Sequence, residues 1–203
     1  MMTTINEPLW AEHQYWVMAN FIHHIAYWRC CSKEYQKSGI RSELWAKTSN
    51  AHLLLAVVNW CMVFGTDSNE IHWKKVVIDK ADQNDFRRRL LADLEMTKRE
   101  WDEYHGSMTL FRNTFAVHLS SNSPYPTLPM MDPAMKTAFS YDEWLRDKID
   151  AVISEPTLQN RYHRLMRTSA EPFKKMIQIG PTIDEEYERH KEYDDSMENW
   201  AEN

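Results

Sequence analysis

The residues of this chain best suited to chemistry lie in the segment that runs from Arg112 to His118. Arg112 is followed directly by Asn113, and His118 comes five residues after Asn113. An arginine is a permanent cation whose planar fork of N–H donors matches the oxygens of a phosphate. A histidine can take up or release a proton near neutral pH. The segment therefore contains a clamp for a scissile phosphate and a base for a ribose 2′-hydroxyl, which is what RNA cleavage without a metal requires.

A looser form of the same pattern, an arginine with a histidine six residues later, occurs at Arg99 and His105. There Glu100 follows the arginine, whereas the stricter pattern has Asn or Asp at that position. Short patterns also arise by chance, so the surrounding sequence has to distinguish the two segments. We take Arg112–His118 as the candidate catalytic segment and the earlier pair as a chance match.

The composition favours an all-α protein that lacks a membrane-spanning segment. The chain has only four glycines in 203 residues, and its long uninterrupted segments are rich in Leu, Met, Trp, Glu and Lys. No apolar stretch approaches the ~20 residues that a membrane span needs, and no signal peptide is recognisable at the N-terminus. Three cysteines, Cys30, Cys31 and Cys61, lack metal-site spacing and are expected to be reduced core thiols. We expect a soluble, cytoplasmic protein.

The negative charge of the chain is concentrated at its C-terminus. The formal net charge is −6, and residues 181–203 contain nine acidic residues against Arg189 and Lys191, a net of −7. Residues 1–180 therefore carry about +1, the difference between the two values, so the charge of this part does not exclude a nucleic-acid substrate. We expect a helical domain over residues 1–180 and an acidic, mobile tail over 181–203.

The apolar spacing and the positions of Gly and Pro predict the helices that would position the candidate segment. A break or kink is expected at His105-Gly106-Ser107, so that Arg112 would lie near the start of its own helix, and a proline-containing loop is expected over 120–132. The inward residues of the next helix should be Ala138, Tyr141, Trp144, Leu145 and Ile149. The predicted helices cover residues 8–37, 41–64, 71–77, 85–104, 108–119, 132–153 and 157–178.

This arrangement resembles the HEPN-domain superfamily, and in particular its abortive-infection and toxin branch. The similarity extends over about residues 40–155. One part of it is the pattern Trp101-x2-Tyr104-His105-x6-Arg112-Asn113-x4-His118. The other is the block Asn59-Trp60-Cys61-x2-Phe64-Gly65-x-Asp67-x4-His72-Trp73-Lys74-Lys75.

The resemblance implies an HEPN-like bundle of about five to six helices that acts as a homodimer. Six residues of a regular helix leave Arg112 and His118 about 120° apart, so either the arginine swings or two motif helices meet in a composite site. The implied activity is a metal-independent endoribonuclease with Arg112, His118 and Asn113 as catalytic residues. A toxin or phage-defence role is implied too, with an antitoxin protein as a possible partner and with no cofactor, metal or membrane.

Four further cations are candidate RNA-binding residues, and for each a structural role is the alternative. Lys74 and Lys75 follow Trp73, which could offer a stacking surface or simply be a core residue. Arg87 and Arg88 belong to a run of three arginines that could bind phosphates or form a solvated helix face.

The competing hypothesis is a non-catalytic HEPN-like dimer that binds RNA or serves in assembly, since a fold alone does not establish an activity. A di-iron bundle would need Glu-x-x-His on facing helices, and the chain contains no such sequence. His-Glu-x-x-His, paired Cys-x-x-Cys and a phosphate-binding glycine-rich loop are also missing from the sequence.

Overall fold

A computed structural model of the chain describes residues 5–117, 127–149, 153–180, 185 and 188–190. The described part is all-helical, which confirms the expected all-α class. It contains eight α-helices rather than five to six, because two of them are only one turn long. The helices are α1 (Glu7–Leu9), α2 (Tyr15–Ser38), α3 (Glu43–Phe64), α4 (Trp73–Val76), α5 (Lys80–Leu94), α6 (Lys98–Arg112), α7 (Met131–Lys148) and α8 (Leu158–Ile179).

Two short π-helical segments interrupt this pattern, Trp10–Gln14 before α2 and Asn113–Val117 after α6. Within the described residues the extended backbone is limited to one isolated antiparallel bridge between Ile5 and Val77. Most of the predicted acidic tail, 181–203, lies outside the described residues, as does most of the predicted loop over 120–132.

Helix α2 forms the centre of the bundle, because it packs along both α3 and α8. Its side chains Phe21, Ile22 and Ile25 are fully buried. Helix α5 packs against α7, and α6 packs against α3. The five residues expected to face inward from α7 and its C-terminal end are all buried, which confirms that prediction. Burial of such side chains contributes about 1.5–3 kcal/mol each.

Some large apolar side chains of the two long helices α2 and α3 lie outside the core. Trp16, Leu44 and Leu55 are each between 45% and 49% exposed. At Trp16 the guanidinium of Arg161 covers the indole ring, 5.8 Å from the ring centre, so part of this apolar surface is shielded by a cation rather than by the core. The three cysteines are buried and unpaired, as predicted.

The helix break that the sequence analysis placed at 105–107 lies ten residues earlier in the structure, at 95–97. Helix α5 ends where Glu95 adopts the left-handed conformation, with φ of 55°. Helix α6 then begins at Lys98, with Thr97 as its N-cap. The Thr97 side chain accepts from the amide of Glu100, while Glu100 accepts from the amide of Thr97. This capping box stabilises the start of α6. Helix α6 continues through Gly106 without interruption, so the predicted break at 105–107 is wrong.

Gly65 ends α3 where the next element must turn sharply. Its amide donates to the carbonyl oxygen of Cys61 at 2.9 Å. A Cβ atom at residue 65 would lie 2.3 Å from that same oxygen, which is far inside van der Waals contact. Only glycine therefore fits this turn, and the turn directs the chain into the segment that leads to α4.

Candidate functional site

Arg112 is the last residue of α6, and the π-helical segment begins directly after it at Asn113. The expectation that Arg112 and Asn113 lie near a helix start is therefore wrong, because α6 continues through Gly106. The 120° separation calculated for Arg112 and His118 assumed a regular α-helix, which the chain does not adopt over residues 113–117. Such π-helical turns often occur at functional sites.

The guanidinium of Arg112 lies beside the contact between α3 and α6, half-buried. Its Nε atom is buried and has no hydrogen-bond acceptor among the described residues. The nearby Cys61 thiol bonds to the Met108 carbonyl oxygen at 3.8 Å. Burial raises the pKa of Cys61 to about 12, and the positive charge of Arg112 opposes this increase. A buried donor without an acceptor destabilises the fold by about 1–3 kcal/mol, so the Nε atom of Arg112 lowers the stability of the fold.

The structure describes only part of the candidate catalytic segment. Asn113 is exposed at the start of the π-helical segment. His118 lies outside the described residues, which end at Val117 in this segment. The backbone of the π-helical segment leads directly to His118, and this is the structural link between the two residues.

The fold does not bring together the side chains of the second Arg–His match, Arg99 and His105. The Arg99 side chain is 85% exposed and pairs with Glu103 one turn along α6. His105 instead points toward α3, where its Nε2 lies 2.6 Å from the carbonyl oxygen of Phe64. The two side chains therefore have separate environments, and His105 has a structural hydrogen bond.

Of the four candidate RNA-binding cations, two lie close together in the structure and the other two lie apart from them. Lys74 and Arg87 both lie against Trp73, with their charged atoms 5.9 Å and 5.1 Å from the ring centre. Lys75 is exposed and does not line the cavity that Lys74 and Arg87 share. The Arg88 side chain is 82% exposed and pairs with Asp85 of its own helix.

The third arginine of the run, Arg89, has a structural role. Its guanidinium bonds to Asp147 at 2.8 Å and also contacts Glu143, which ties α5 to α7. Trp73 itself is only 7% exposed and packs edge-on against Phe86. It is therefore a core residue rather than an open stacking surface.

Lys74 and Arg87 line a cavity of about 180 Å³ between the end of α3 and the helices α4, α5 and α6. We call it the Trp101 cavity, after the half-buried indole that forms its α6 wall. The cavity is lined by Phe64, Gly65, Asp67, His72, Trp73, Lys74, Phe86, Arg87, Leu90, Trp101, Asp102 and His105.

A hydrogen-bonded cluster holds the loop that forms one side of the Trp101 cavity. The Nδ1 atom of His72 accepts from the Lys74 amide at 3.3 Å, so its Nε2 carries the proton and faces the Asp67 carboxylate at 3.4 Å. Lys74 Nζ bonds the other oxygen of Asp67 at 2.5 Å. Burial lowers the pKa of His72 to about 4, so this imidazole stays neutral at physiological pH. The loop is thus fixed in shape before any ligand arrives.

The sequence patterns did not identify Asp67, His72, Trp101 or His105 as members of one site. The signal was present, because all four belong to the two segments that carry the HEPN resemblance. Their spatial relationship could not be read from the sequence, because Asp67 and Asp102 are 35 residues apart in the chain and line the same cavity only because α6 packs on α3.

Over the described residues, the fold and the site define an all-α protein with a half-buried arginine at the end of one helix. No protein-family model, no curated protein and no solved structure matches the chain. In the part of the chain that the structure describes, no group of three or more His, Cys, Asp or Glu side chains could hold a metal ion. None of the described helices combines the length and apolar character needed to cross a membrane.

Proposed function

We propose that this protein is a metal-independent endoribonuclease of the HEPN type, with Arg112, Asn113 and His118 as its catalytic residues. The observation that supports this most strongly is the half-buried guanidinium of Arg112, whose Nε lacks an acceptor in the described part of the chain. Because the residue as a whole is only partly buried, a phosphate would approach the accessible remainder of this guanidinium. The π-helical turn that begins at Asn113 leads directly from this cation to His118.

The proposed reaction is an internal transesterification. His118 removes the proton from a ribose 2′-hydroxyl, and the 2′-oxygen attacks the adjacent phosphorus. The bond from phosphorus to the 5′-oxygen breaks, and His118 of the partner subunit protonates that leaving oxygen. Arg112 stabilises the negative charge that develops on the phosphorane-like transition state. Asn113 orients the phosphate by hydrogen bonding. The products are a 2′,3′-cyclic phosphate and a 5′-hydroxyl, and DNA is resistant because it lacks the nucleophile.

The proposed homodimer would join two such segments in one composite site. Exposed apolar side chains occur on both helices that border Arg112. Leu55 and Met62 on α3 are 45% and 39% exposed, and Leu110 on α6 is 58% exposed. Contiguous exposed apolar patches mark interfaces, and we propose that these side chains belong to one such patch. A two-fold interface needs only one such surface, because each copy supplies it.

The cellular role follows from the resemblance rather than from the geometry. HEPN ribonucleases of the toxin and abortive-infection branch arrest growth or protect against phage. We propose the same role for this chain, with an antitoxin protein as its partner.

The test compares the wild-type protein with His118→Ala and Arg112→Ala on total RNA and on tRNA in the presence of EDTA. Each variant has a matched control: His13→Ala, which removes an exposed histidine, and Arg99→Ala, which removes an exposed arginine of α6. We expect both catalytic variants to lose cleavage while their helical content is unchanged, and both controls to keep it. Product ends should be cyclic phosphates. Dependence on a divalent ion, or cleavage by His118→Ala at the wild-type rate, would refute the mechanism.

The second candidate is a non-catalytic HEPN-like dimer that binds RNA or takes part in assembly. The exposed apolar side chains of α3 and α6 favour it equally, because they indicate an interface without requiring catalysis. Retention of RNA and of the dimer with no cleavage by the wild-type protein would favour this alternative.

A further inference from the structure

We propose that the Trp101 cavity binds one nucleotide of an RNA strand, as a subsite next to the catalytic segment. The base would lie between Trp101 and the guanidinium of Arg87, which lies over the Trp73 ring, and the phosphate would lie near Lys74 and Arg87. The assignment of the nucleotide to an RNA strand rests on the ribonuclease proposed above. The existence of a nucleotide site rests on the cavity itself.

The size of the cavity suits the base of one nucleotide. A volume of about 180 Å³ equals the liquid volume of about six water molecules, at ≈30 Å³ each. It is below the ≈300–1,000 Å³ of sites that enclose whole drug-sized ligands. The cavity can therefore enclose a single planar ring system, while the ribose and the phosphate of that nucleotide would lie at its mouth.

Among the charged side chains around the cavity, one cation has no direct carboxylate partner in the described chain and could bind a phosphate. Lys74 is paired with Asp67 at 2.5 Å, and Asp102 is paired with Lys98. Arg87 donates only to the neutral amide oxygen of Asn84, at 3.0 Å, among the described residues. One positive charge at the cavity is therefore not directly paired with a carboxylate, and a phosphate would balance it.

Two walls of the cavity offer flat surfaces for a base. The Arg87 guanidinium carbon lies 5.1 Å from the centre of the Trp73 ring, and a guanidinium plane can itself stack on a base. Trp101 provides a second, half-buried aromatic wall. Its indole is held by contacts with Trp60 and His105, at 6.2 Å and 6.0 Å between ring centres. Stacking of bases on aromatic side chains is a main source of affinity in proteins that bind single-stranded nucleic acids.

The cavity and Arg112 lie close together along α6. His105 lines the cavity, and Arg112 follows it by seven residues on the same uninterrupted helix. Seven residues make nearly two full turns, so His105 and Arg112 lie about 10 Å apart along the helix axis. This separation is short enough for one RNA strand to reach both the mouth of the cavity and Arg112.

The rigidity of the cavity wall also favours binding. Asn69 donates to the Cys61 carbonyl oxygen at 2.9 Å, and His105 Nε2 donates to Phe64. These bonds hold the loop after α3 from both ends, in addition to the cluster around His72. A preformed site loses little conformational entropy when a ligand binds.

The experiment is a calorimetric titration of the full chain with AMP, GMP, CMP and UMP, with orthophosphate as the probe for an anion alone. At least one nucleotide should bind more tightly than orthophosphate. Arg87→Ala should weaken its binding about tenfold or more, and Arg87→Lys should restore only part of the loss, because lysine keeps the charge but not the planar group. The control Arg99→Ala should bind as the wild type does. Equal binding of orthophosphate, or unchanged binding by Arg87→Ala, would overturn the proposal.

Two further measurements separate this inference from the proposed function. An RNA oligonucleotide with 2′-O-methyl groups, which cannot be cleaved, should displace the bound mononucleotide. Failure to displace it would overturn the assignment to an RNA strand. In cleavage assays Arg87→Ala should raise KM about tenfold with a smaller effect on kcat, and an unchanged KM would refute the subsite while leaving the ribonuclease intact. His118→Ala should lose cleavage but bind the mononucleotide normally. If the wild type binds nucleotides without cleaving RNA, the ribonuclease proposal fails and the nucleotide site stands.

Discussion

His105 in the middle of α6 donates a hydrogen bond from Nε2 to the backbone carbonyl oxygen of Phe64, the last residue of α3, at 2.6 Å. Since a carbonyl oxygen can only accept, Nε2 must carry the proton. The bond fastens α6 to the point where α3 ends, and it therefore sets the position of Arg112 seven residues further along α6. It also shows that the Nε2 atom of His105 is already engaged and is unsuited to act as a general base.

Gly106 lies exposed inside α6, and a Cβ atom added there would meet nothing within 4 Å. Gly106→Ala should raise the free energy of unfolding by about 0.5–1 kcal/mol, because alanine loses less conformational entropy in a helix. Urea denaturation followed by circular dichroism would measure it. Destabilisation would indicate that the chain does bend at residues 105–107, as the sequence pattern suggested.

Gly65→Ala is the contrasting variant. Its Cβ would lie 2.3 Å from the Cys61 carbonyl oxygen, a backbone atom that cannot move aside without distorting α3. We expect the free energy of unfolding to fall by about 1–3 kcal/mol. The same urea experiment measures the change, and a neutral result would contradict the close approach of residues 61 and 65.

His72 should make the stability of the protein depend on pH. Burial lowers its pKa in the folded protein from 6.5 to about 4. The unfolded chain therefore takes up this proton first, so the contribution of the neutral imidazole is complete above pH 6.5 and is lost as the pH falls toward 4.

Between about pH 7.5 and pH 5 the wild-type protein should lose about 2 kcal/mol more stability than His72→Asn, in which this titration is removed. Asparagine keeps an acceptor for the Lys74 amide at the start of α4, so the variant should fold. Urea unfolding at the two pH values measures the difference. Parallel losses in both proteins would show that His72 does not titrate in this range.

The planar guanidinium of Arg112, and not only its charge, should matter for cleavage. Arg112→Lys keeps a positive charge but removes the planar fork and the Nε donor. If the guanidinium stabilises the transition state, single-turnover cleavage should slow by about 10²-fold or more, with a smaller effect on RNA binding. Arg99→Lys, on the exposed face of the same helix, should cleave normally. Wild-type rates for Arg112→Lys would mean that charge alone suffices at this position.

Leu110 should belong to the interface of the proposed dimer. Leu110→Glu places a charge on an exposed apolar position of α6, two residues before Arg112. It should raise the dimer dissociation constant about tenfold or more and reduce cleavage in parallel, because the composite site needs both copies. Light scattering after size exclusion would measure the mass. The control is Ile179→Glu, a change at an 86% exposed residue that ends α8. Loss of the dimer in the control but not in Leu110→Glu would place the interface elsewhere.

The helices of this protein could be predicted from sequence wherever local rules decided the outcome. The ends of α2 and α3 follow from Gly39 and Gly65, and the inward face of α7 follows from its apolar spacing. The sequence analysis placed the helix break at Gly106, because glycine is a common helix terminator. The structure has the break between α5 and α6 instead, where Glu95 is left-handed and Thr97 and Glu100 form a capping box. Both signals are local. A glycine inside an exposed helix destabilises that helix by only about 1 kcal/mol, and a good N-cap stabilises it by a similar amount, so α6 can continue through Gly106.

By itself, the sequence determined the all-α class, the buried reduced cysteines and the Arg112–His118 pattern, because periodicity, composition and motif spacing are properties of neighbouring residues. Only the tertiary structure decided that Arg112 ends a helix with a buried Nε unpartnered in the described chain. It alone decided that Arg87, rather than Arg88, joins Lys74 at a cavity. Neighbouring arginines on a helix point about 100° apart, and which of them meets Trp73 depends on how α5 packs against α4 and α6. That rotation is set by the burial of the whole apolar face of α5, which no local pattern specifies.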